Sequence, residues 1–438
     1  MTSLDDVQHE DAPIPVFARE GGGRWSYADL QSEPLVFFRE AYRRHGPLFR
    51  ATLDGKESLI LAGPEANDFV IRNKTLWAYG EALKFIKRVV PRDLVTLDGA
   101  EHEVKRKRMA PSFRVDLLAA LTAAMRKALL DLLAESGGRE VDLRDFLNLS
   151  FFRLSRAALG LPIADQVFHD VLRAEQLLLE GAVHDTGEGM REGFRGAFER
   201  VKDGIRPHVE ARLASLDGDD MFSVMLRSHS PEAEPEFDTN ELVEDMAIFL
   251  LAGIQNGAHV ILWSLLLLDR HEAWRREVVE EVRARPIVTV ASLADTPKLN
   301  GTILEAERLR PPLVLLPRIP NRDFAFAGHR VAAGTAMLHA ITLVHFLEEL
   351  YAEPLAFRPE RHLEGLRHPA TRHALYGMGP HRCVGMPLAR HQAALTLSEL
   401  LGSWRIELGF TPSLACVLKD NVTPREERLP VRFTRAST

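Results

Sequence analysis

The stretch from Tyr376 to Arg390, YGMGPHRCVGMPLAR, sets one cysteine among glycines just ahead of a helix-like run. Gly377, Gly379 and Gly385 permit a chain that turns sharply and passes close under something flat and bulky. Backbone N–H groups in such a loop can point at the Cys383 sulfur, and a helix beginning near Met386 adds the positive end of its dipole. Both effects lower a thiol pKa and keep a thiolate at neutral pH, which is the form that binds a metal. Pro387 suits the first turn of that helix, where its missing N–H costs nothing. His381 and Arg382 bring positive charge beside the loop, suited to an acidic group on a ligand. Cys383 and Cys416 are the only cysteines, too few for a disulfide framework and in keeping with a reducing compartment. Free cysteine ordinarily acts as a small buried hydrophobe. That description fits Cys416, which has neither a glycine loop nor a basic partner.

A chain of 438 residues, 46% hydrophobic and 27% charged, can bury a large core. Its net charge of -7 argues against a nucleic-acid partner, which needs a basic surplus. The acidic, polar start at Met1, Thr2, Ser3, Leu4, Asp5 and Asp6 lacks the basic and apolar regions of a signal peptide, so a cytoplasmic location is expected. Apolar runs at Met246 to Ile254 and Val260 to Leu268 are interrupted by Gln255, Asn256 and His259. Neither reaches the roughly 20 residues of a membrane span, and no membrane anchor is expected.

Alternation on either side of Asp54 and Gly55 predicts two short strands within Pro47 to Ala62. From about His102 to Leu268 the pattern is helical, broken at Gly137 and Gly138, at Gly160 to Pro162 and across Ser228 to Pro235. Asp238 with Glu241 forms a capping box before a run reaching about Arg270. That helix is apolar nearly all round and so must cross the centre of the fold. Helices follow at His271 to Ala284, at Leu299 to Arg310 and from Met386 to Trp404, with short strands and proline-rich coil between residues 313 and 375. The sum is a mainly α protein with a small β region, a polar tail over 1–20 and one large domain over 21–438.

The loop YGMGPHRCVGMPLAR resembles the haem-binding loop of the cytochrome P-450 family, in which an aromatic residue, GxG, a basic residue and CxG are commonly followed by Ala-Arg. The family usually has phenylalanine where this chain has Tyr376, whose ring can lie against the sulfur but whose hydroxyl needs a partner. Glu305 and Arg308 in LEAERLRPP resemble the family's ExxR pair, and Arg361 in FRPERHL its later arginine. Glu and Arg at i and i+3 are neighbours on any helix, but with these sequels the resemblance implies a buried structural lock beneath the haem loop. It further implies the P-450 fold, haem b (iron protoporphyrin IX) as cofactor with Cys383 as axial thiolate and metal ligand, and Gly385 beside it.

His102 and Arg106 in AEHEVKRKRMAPSF, at i and i+4, resemble the residues that reach the haem propionates, as do Arg318 in LLPRIP and His381. Each taken alone reads rather as a solvated surface residue; together they suit two carboxylates. Ala252, Gly253, Ile254, Gln255 and Asn256 match the family's oxygen-binding groove on the central helix. There Gln255 stands in place of an acid and Asn256 in place of a threonine. An amide cannot shuttle a proton as a carboxylate does; the two amides either order a water chain or simply satisfy each other.

The resemblance implies a monooxygenase that inserts oxygen from O2 into a small substrate, with electrons from a separate ferredoxin and ferredoxin reductase. The missing acid and alcohol leave open a peroxide-driven enzyme, and a haem-binding sensor without turnover is the reading from another class. Substrate contacts are expected from Leu83 to Val95, Leu177 to His184, Phe249 and Leu313 to Leu316. These are apolar except for Lys84, Lys87 and Arg88, which allow for an acidic group on the substrate. Lys105, Lys107, Arg108, Arg372 and Arg382 are candidates for a positive patch toward an acidic electron donor, or for a plain solvated face.

Overall fold

A computed structural model describes residues 13–17, 34–53, 56–184, 188–214, 218–228, 238–285, 287–363, 374–418 and 422–436. The site is framed by helices α1 (Gly99–Met109), α2 (Leu143–Leu159), α3 (Gln166–His184), α4 (Glu188–Leu213), α5 (Thr239–Arg270), α6 (Glu272–Ala284), α7 (Pro297–Leu309) and α8 (Met386–Ser403). The predicted helices at the centre and toward the C-terminus are all present, with ends that shift by a residue or two.

Helix α5 is long and apolar enough to cross a membrane, but most of it is buried inside the protein. It is the core helix that its all-round apolar surface demands. Asp238 caps it, accepting from the N–H groups of Asn240 at 2.9 Å and Glu241 at 3.3 Å. The box is one-sided, because the Glu241 carboxylate turns instead to Lys105 and Arg92. One continuous apolar core runs under α2 to α8, and two smaller clusters lie on the faces of a five-stranded sheet.

In that sheet β1 (Val16–Phe17) is parallel to β2 (Leu48–Leu53), which forms a hairpin with β3 (Lys56–Ala62). The turn at Asp54 and Gly55 lies outside the described residues. Beyond β3 the sheet continues through the more distant β5 (Met337–Ala340) to β4 (Leu316–Arg318) at the edge. Pairing of Arg318 with Met337 in this register fixes where the Arg318 side chain leaves the sheet. The fold is therefore mainly α with a small β region.

Two glycines of α5 have opposite duties. A Cβ at Gly257 would stand 2.1 Å from the Phe151 ring on α2, whereas one at Gly253 would meet nothing within 4 Å. Gly257 thus lets two core helices touch, and Gly253 borders open space in the middle of the protein. Gly257→Ala should cost about 1–3 kcal/mol, because Phe151 is fully buried and cannot yield. Gly253→Ala should leave stability unchanged or raise it by up to about 1 kcal/mol through helix propensity. Urea melts of the two variants separate these roles; equal losses would contradict them.

Candidate functional site

The Cys383 loop is tied by its own backbone. The Cys383 N–H donates to the Tyr376 carbonyl at 2.8 Å, and the N–H groups of Gly385 and Met386 donate to the sulfur. Gly377 and Gly379 hold φ of 71° and 69°, a region that favours glycine. At Gly385 a Cβ would lie 3.8 Å from the sulfur and 3.7 Å from the Phe113 ring. Cys383 is solvent-exposed by surface, yet burial among protein atoms pushes its thiol pKa up, against the two N–H donors and Arg106. The expected lowering is thus corrected: desolvation outweighs the loop's donors, and a bound cation is what would ionise the sulfur outright. Exposed surface so deep in the protein marks an internal cavity.

The opposite wall is α5. Ala252 is exposed, and Gly253, Gln255 and Asn256 are half-buried, on a helix whose neighbouring turns are largely covered. Asn256 Nδ2 donates to the Ala252 carbonyl at 3.2 Å. No hydrogen bond joins Gln255 to Asn256 among the described residues, so the two amides do not satisfy each other. Phe113 links the two walls: it borders Gly385, and its ring centroid lies 5.9 Å from that of Phe249, one turn before Ala252.

Between the walls four basic side chains converge. His381 is stacked between Tyr79, at 3.6 Å, and His102, at 3.9 Å, and the Arg318 guanidinium lies 5.0 Å from the centre of the Tyr79 ring. Arg106 is close enough to Cys383 and Arg382 to feel both charges. Burial lowers the proton affinity of Arg106, Arg318 and His102. It lowers His381 to about 3, assisted by His102 and Arg318. His381 therefore does not bring the positive charge expected of it: in this desolvated, cationic company its ring stays neutral. His102 Nε2 and Arg318 Nε are buried without a hydrogen-bond partner among the described residues. Among the described residues none of the four has a carboxylate partner. Orphaned basic groups beside a deep thiol fit a ligand with an acidic edge and a metal at its centre.

Several of these positions depend on residues no local motif marked. Tyr79 enters because Asp98 accepts from the Tyr79 N–H at 2.9 Å and the Gly80 N–H at 3.0 Å, pinning that turn to the start of α1. Helix α1 is in turn fastened to α5 by Lys105, whose Nζ lies 2.5 Å from Asp245 and 3.3 Å from Glu241 and donates to the Arg92 carbonyl at 2.6 Å. Burial raises the Asp245 pKa to about 7 in spite of Lys105. Lys105 is thus withdrawn from the expected positive patch, because its ammonium is buried in that pairing. Lys107 and Arg382 remain exposed and Arg108 half-exposed, while Arg372 lies outside the described residues.

Beneath the loop, Glu305 and Arg308 are fully buried and bidentate, with both N···O distances 2.8 Å. Arg308 also donates to the carbonyls of His345 and Pro354, and Glu305 accepts from Arg361 at 3.2 Å and His362 at 2.9 Å. His362 is a member that spacing did not reveal. Burial favours the neutral Glu305, but the bonds from Arg308 and His362 override it and hold the pKa at about 2.

On the substrate side, the segment Leu83 to Val95 meets α3. The Phe85 ring fills the place a Cβ would take on Gly181, 2.0 Å away, and stacks on Phe194 of α4 at 5.9 Å. Lys84, Lys87 and Arg88 are all exposed, with the Lys87 ammonium lying beside Gly80. The side chains of 182–184 lie outside the described residues.

The family model for cytochrome P450 matches residues 23–413. The chain is 25% identical to cyclooctat-9-en-7-ol 5-monooxygenase of Streptomyces melanosporofaciens, covering 86% of each chain. It is 27% identical to putative cytochrome P450 139 of Mycobacterium tuberculosis, covering 84% of this chain and 90% of that one. Against sterol 14alpha-demethylase of Mycobacterium tuberculosis the identity is 22%, over 90% of this chain and 92% of the relative. The solved structure of retinoic acid bound cyanobacterial CYP120A1 has the same fold, with a TM-score of 0.79 at 22% identity over 97% of this chain and all of that one. Taken with the deep thiol and its basic cradle, these matches mean that the chain belongs to the cytochrome P450 family, whose members are haem-thiolate monooxygenases.

Proposed function

We propose that this cytochrome P450 oxidises a small, apolar substrate with O2 in the cytoplasm, using haem b on Cys383 and electrons from a separate ferredoxin and ferredoxin reductase. The observation that carries the reading is the deep, accessible Cys383 sulfur with two backbone N–H donors, beside four basic side chains that have no carboxylate partner among the described residues, two of them with a buried nitrogen left unsatisfied there. Bound there, haem supplies oxygen activation assisted by electron density from a thiolate. His102, Arg106, Arg318 and His381, with Tyr79 stacked among them, would hold the propionates. Tyr376 and Gly385 shape the loop behind the sulfur. Ala252 and Gly253 leave room on the other side.

Proton supply is where this chain departs from its family. Asn256 commits its Nδ2 to the Ala252 carbonyl, leaving Oδ1 to accept from a water. Gln255 carries no proton of its own to give up, so both amides can only orient water. Phe85, Phe249 and the Leu313 to Leu316 segment favour an apolar substrate, in line with the sterol and retinoic acid in the relatives' names. The amides also favour a second reading, a peroxide-driven enzyme that bypasses proton delivery.

Binding is tested by the haem absorbance shift over a panel of apolar substrates, and turnover by comparing ferredoxin, reductase and NAD(P)H with hydrogen peroxide. Product from the reductase system supports the dioxygen reading; product from peroxide alone replaces it with the second. Asn256→Thr should raise the product formed per NAD(P)H by up to about tenfold, a small part of what a positioned proton donor contributes. An unchanged or lower yield would mean that the amide is not the limiting group.

A further inference from the structure

Tyr376 stands where the family pattern has phenylalanine, and its added hydroxyl has a dedicated partner. It donates to Glu307 Oε1 at 2.5 Å. Glu307 lies on α7 between the two members of the buried Glu305 and Arg308 pair, and is itself only 2% exposed. Its second oxygen, Oε2, is buried and makes no hydrogen bond among the described residues. Burial pushes the Glu307 carboxyl pKa up, against the nearby Arg390 and the Tyr376 hydroxyl, and Arg390 is held in place by a 2.7 Å bond to Asn300. At its other end Tyr376 accepts the Cys383 N–H through its carbonyl at 2.8 Å. A continuous path therefore runs from the α7 carboxylate through one tyrosine to the backbone of the cysteine.

We propose that Glu307 is a positioning residue for Cys383, acting through the Tyr376 hydroxyl to hold the loop behind the sulfur. The inference rests on the reading of Cys383 as the iron ligand. Phenylalanine at 376 needs no acceptor, so the carboxylate and the hydroxyl make sense only as a pair. Breaking the pair from either side strands a buried polar group: among the described residues, Tyr376→Phe leaves Glu307 with no hydrogen-bond partner, and Glu307→Leu leaves the hydroxyl without an acceptor. Removing both restores an apolar contact of the family's usual kind.

The test uses the haem-loaded Tyr376→Phe, Glu307→Leu, Glu307→Gln and Tyr376→Phe/Glu307→Leu proteins, read by ferric/ferrous midpoint potential, the ferrous carbon monoxide band and urea stability. A loosened thiolate disfavours the oxidised iron. Tyr376→Phe and Glu307→Leu should each raise the potential, by a shift worth at least about tenfold in the redox equilibrium, roughly 59 mV for one electron. Glu307→Gln, which keeps an acceptor, should fall between wild type and Glu307→Leu. In stability the double variant should lose less than the sum of the single ones. Potentials unchanged at equal haem content, or losses that simply add, would overturn the proposal and leave Glu307 as core filling. A wild-type protein without the thiolate band would instead overturn the assignment of Cys383. If single variants fail to hold haem, the double variant and Glu307→Gln still decide the stability and potential comparisons.

Discussion

Cys383→Ala should purify as a folded protein that has lost the red-shifted ferrous carbon monoxide band of thiolate-ligated haem, together with all monooxygenase turnover. The side chain is exposed to the internal cavity and belongs to none of the apolar core clusters. Its removal should therefore change the stability of the haem-free protein by no more than about 0.5 kcal/mol. The loss is chemical: no other cysteine, histidine or carboxylate group forms a metal-binding cluster among the described residues, and Cys416 lies in a separate strand, Cys416–Leu418. Spectra of the reduced carbon monoxide complex and urea melts of the haem-free protein check both halves. A retained thiolate band would refute the assignment, and a large stability loss would mean that the sulfur is a packing group.

Glu305→Ala should prevent a stable, haem-loaded fold from forming. Arg308 is fully buried, and removing its carboxylate leaves a guanidinium in the interior with carbonyl partners but no counter-charge. Breaking a buried pair in this way costs about 3–5 kcal/mol, a large fraction of the 5–15 kcal/mol that typically holds a domain together. Glu305→Gln keeps one acceptor and should retain part of that. The pH dependence has a definite sign. A carboxylate held at about 2, against an ordinary 4.5, stabilises the fold fully above about pH 4.5 and loses that contribution as pH falls toward 2. The difference corresponds to about 3 kcal/mol. Urea melts of wild type and Glu305→Gln should accordingly converge as pH is lowered from 7 to 3; a constant gap would show that the carboxylate is not charged in the fold.

Local chemistry was legible wherever a residue's job depends on near neighbours in the chain. The glycines around Cys383, the i and i+3 spacing of Glu305 and Arg308, the Asp238 cap and the apolar α5 all follow from short-range geometry. So does the missing acid and alcohol at Gln255 and Asn256, which is an absence read directly from two positions. Partners from distant segments were not legible. Tyr79, pinned by Asp98, carries no pattern in its own neighbourhood, and His362 joins Glu305 only because the coil after Pro359 folds back under α7. Lys105 read as one more surface cation until its position on α1, facing Asp245 of α5, buried it.

The sequence by itself determined the family, the single-domain fold expected of it and the buried lock, and it singled out Cys383 as the candidate metal ligand, because each rests on residue type at fixed spacing along a helix or tight loop. Only the tertiary structure decided the charge states and the partners. Burial from distant segments set the Cys383 thiol high and His381 neutral, against what their neighbours in the chain suggested. Gly253 and Gly257, identical in the sequence and one turn apart, were separated into a cavity wall and a packing contact by what stands opposite each. Desolvation and contact depend on which surfaces meet across the fold, and spacing along the chain does not carry that.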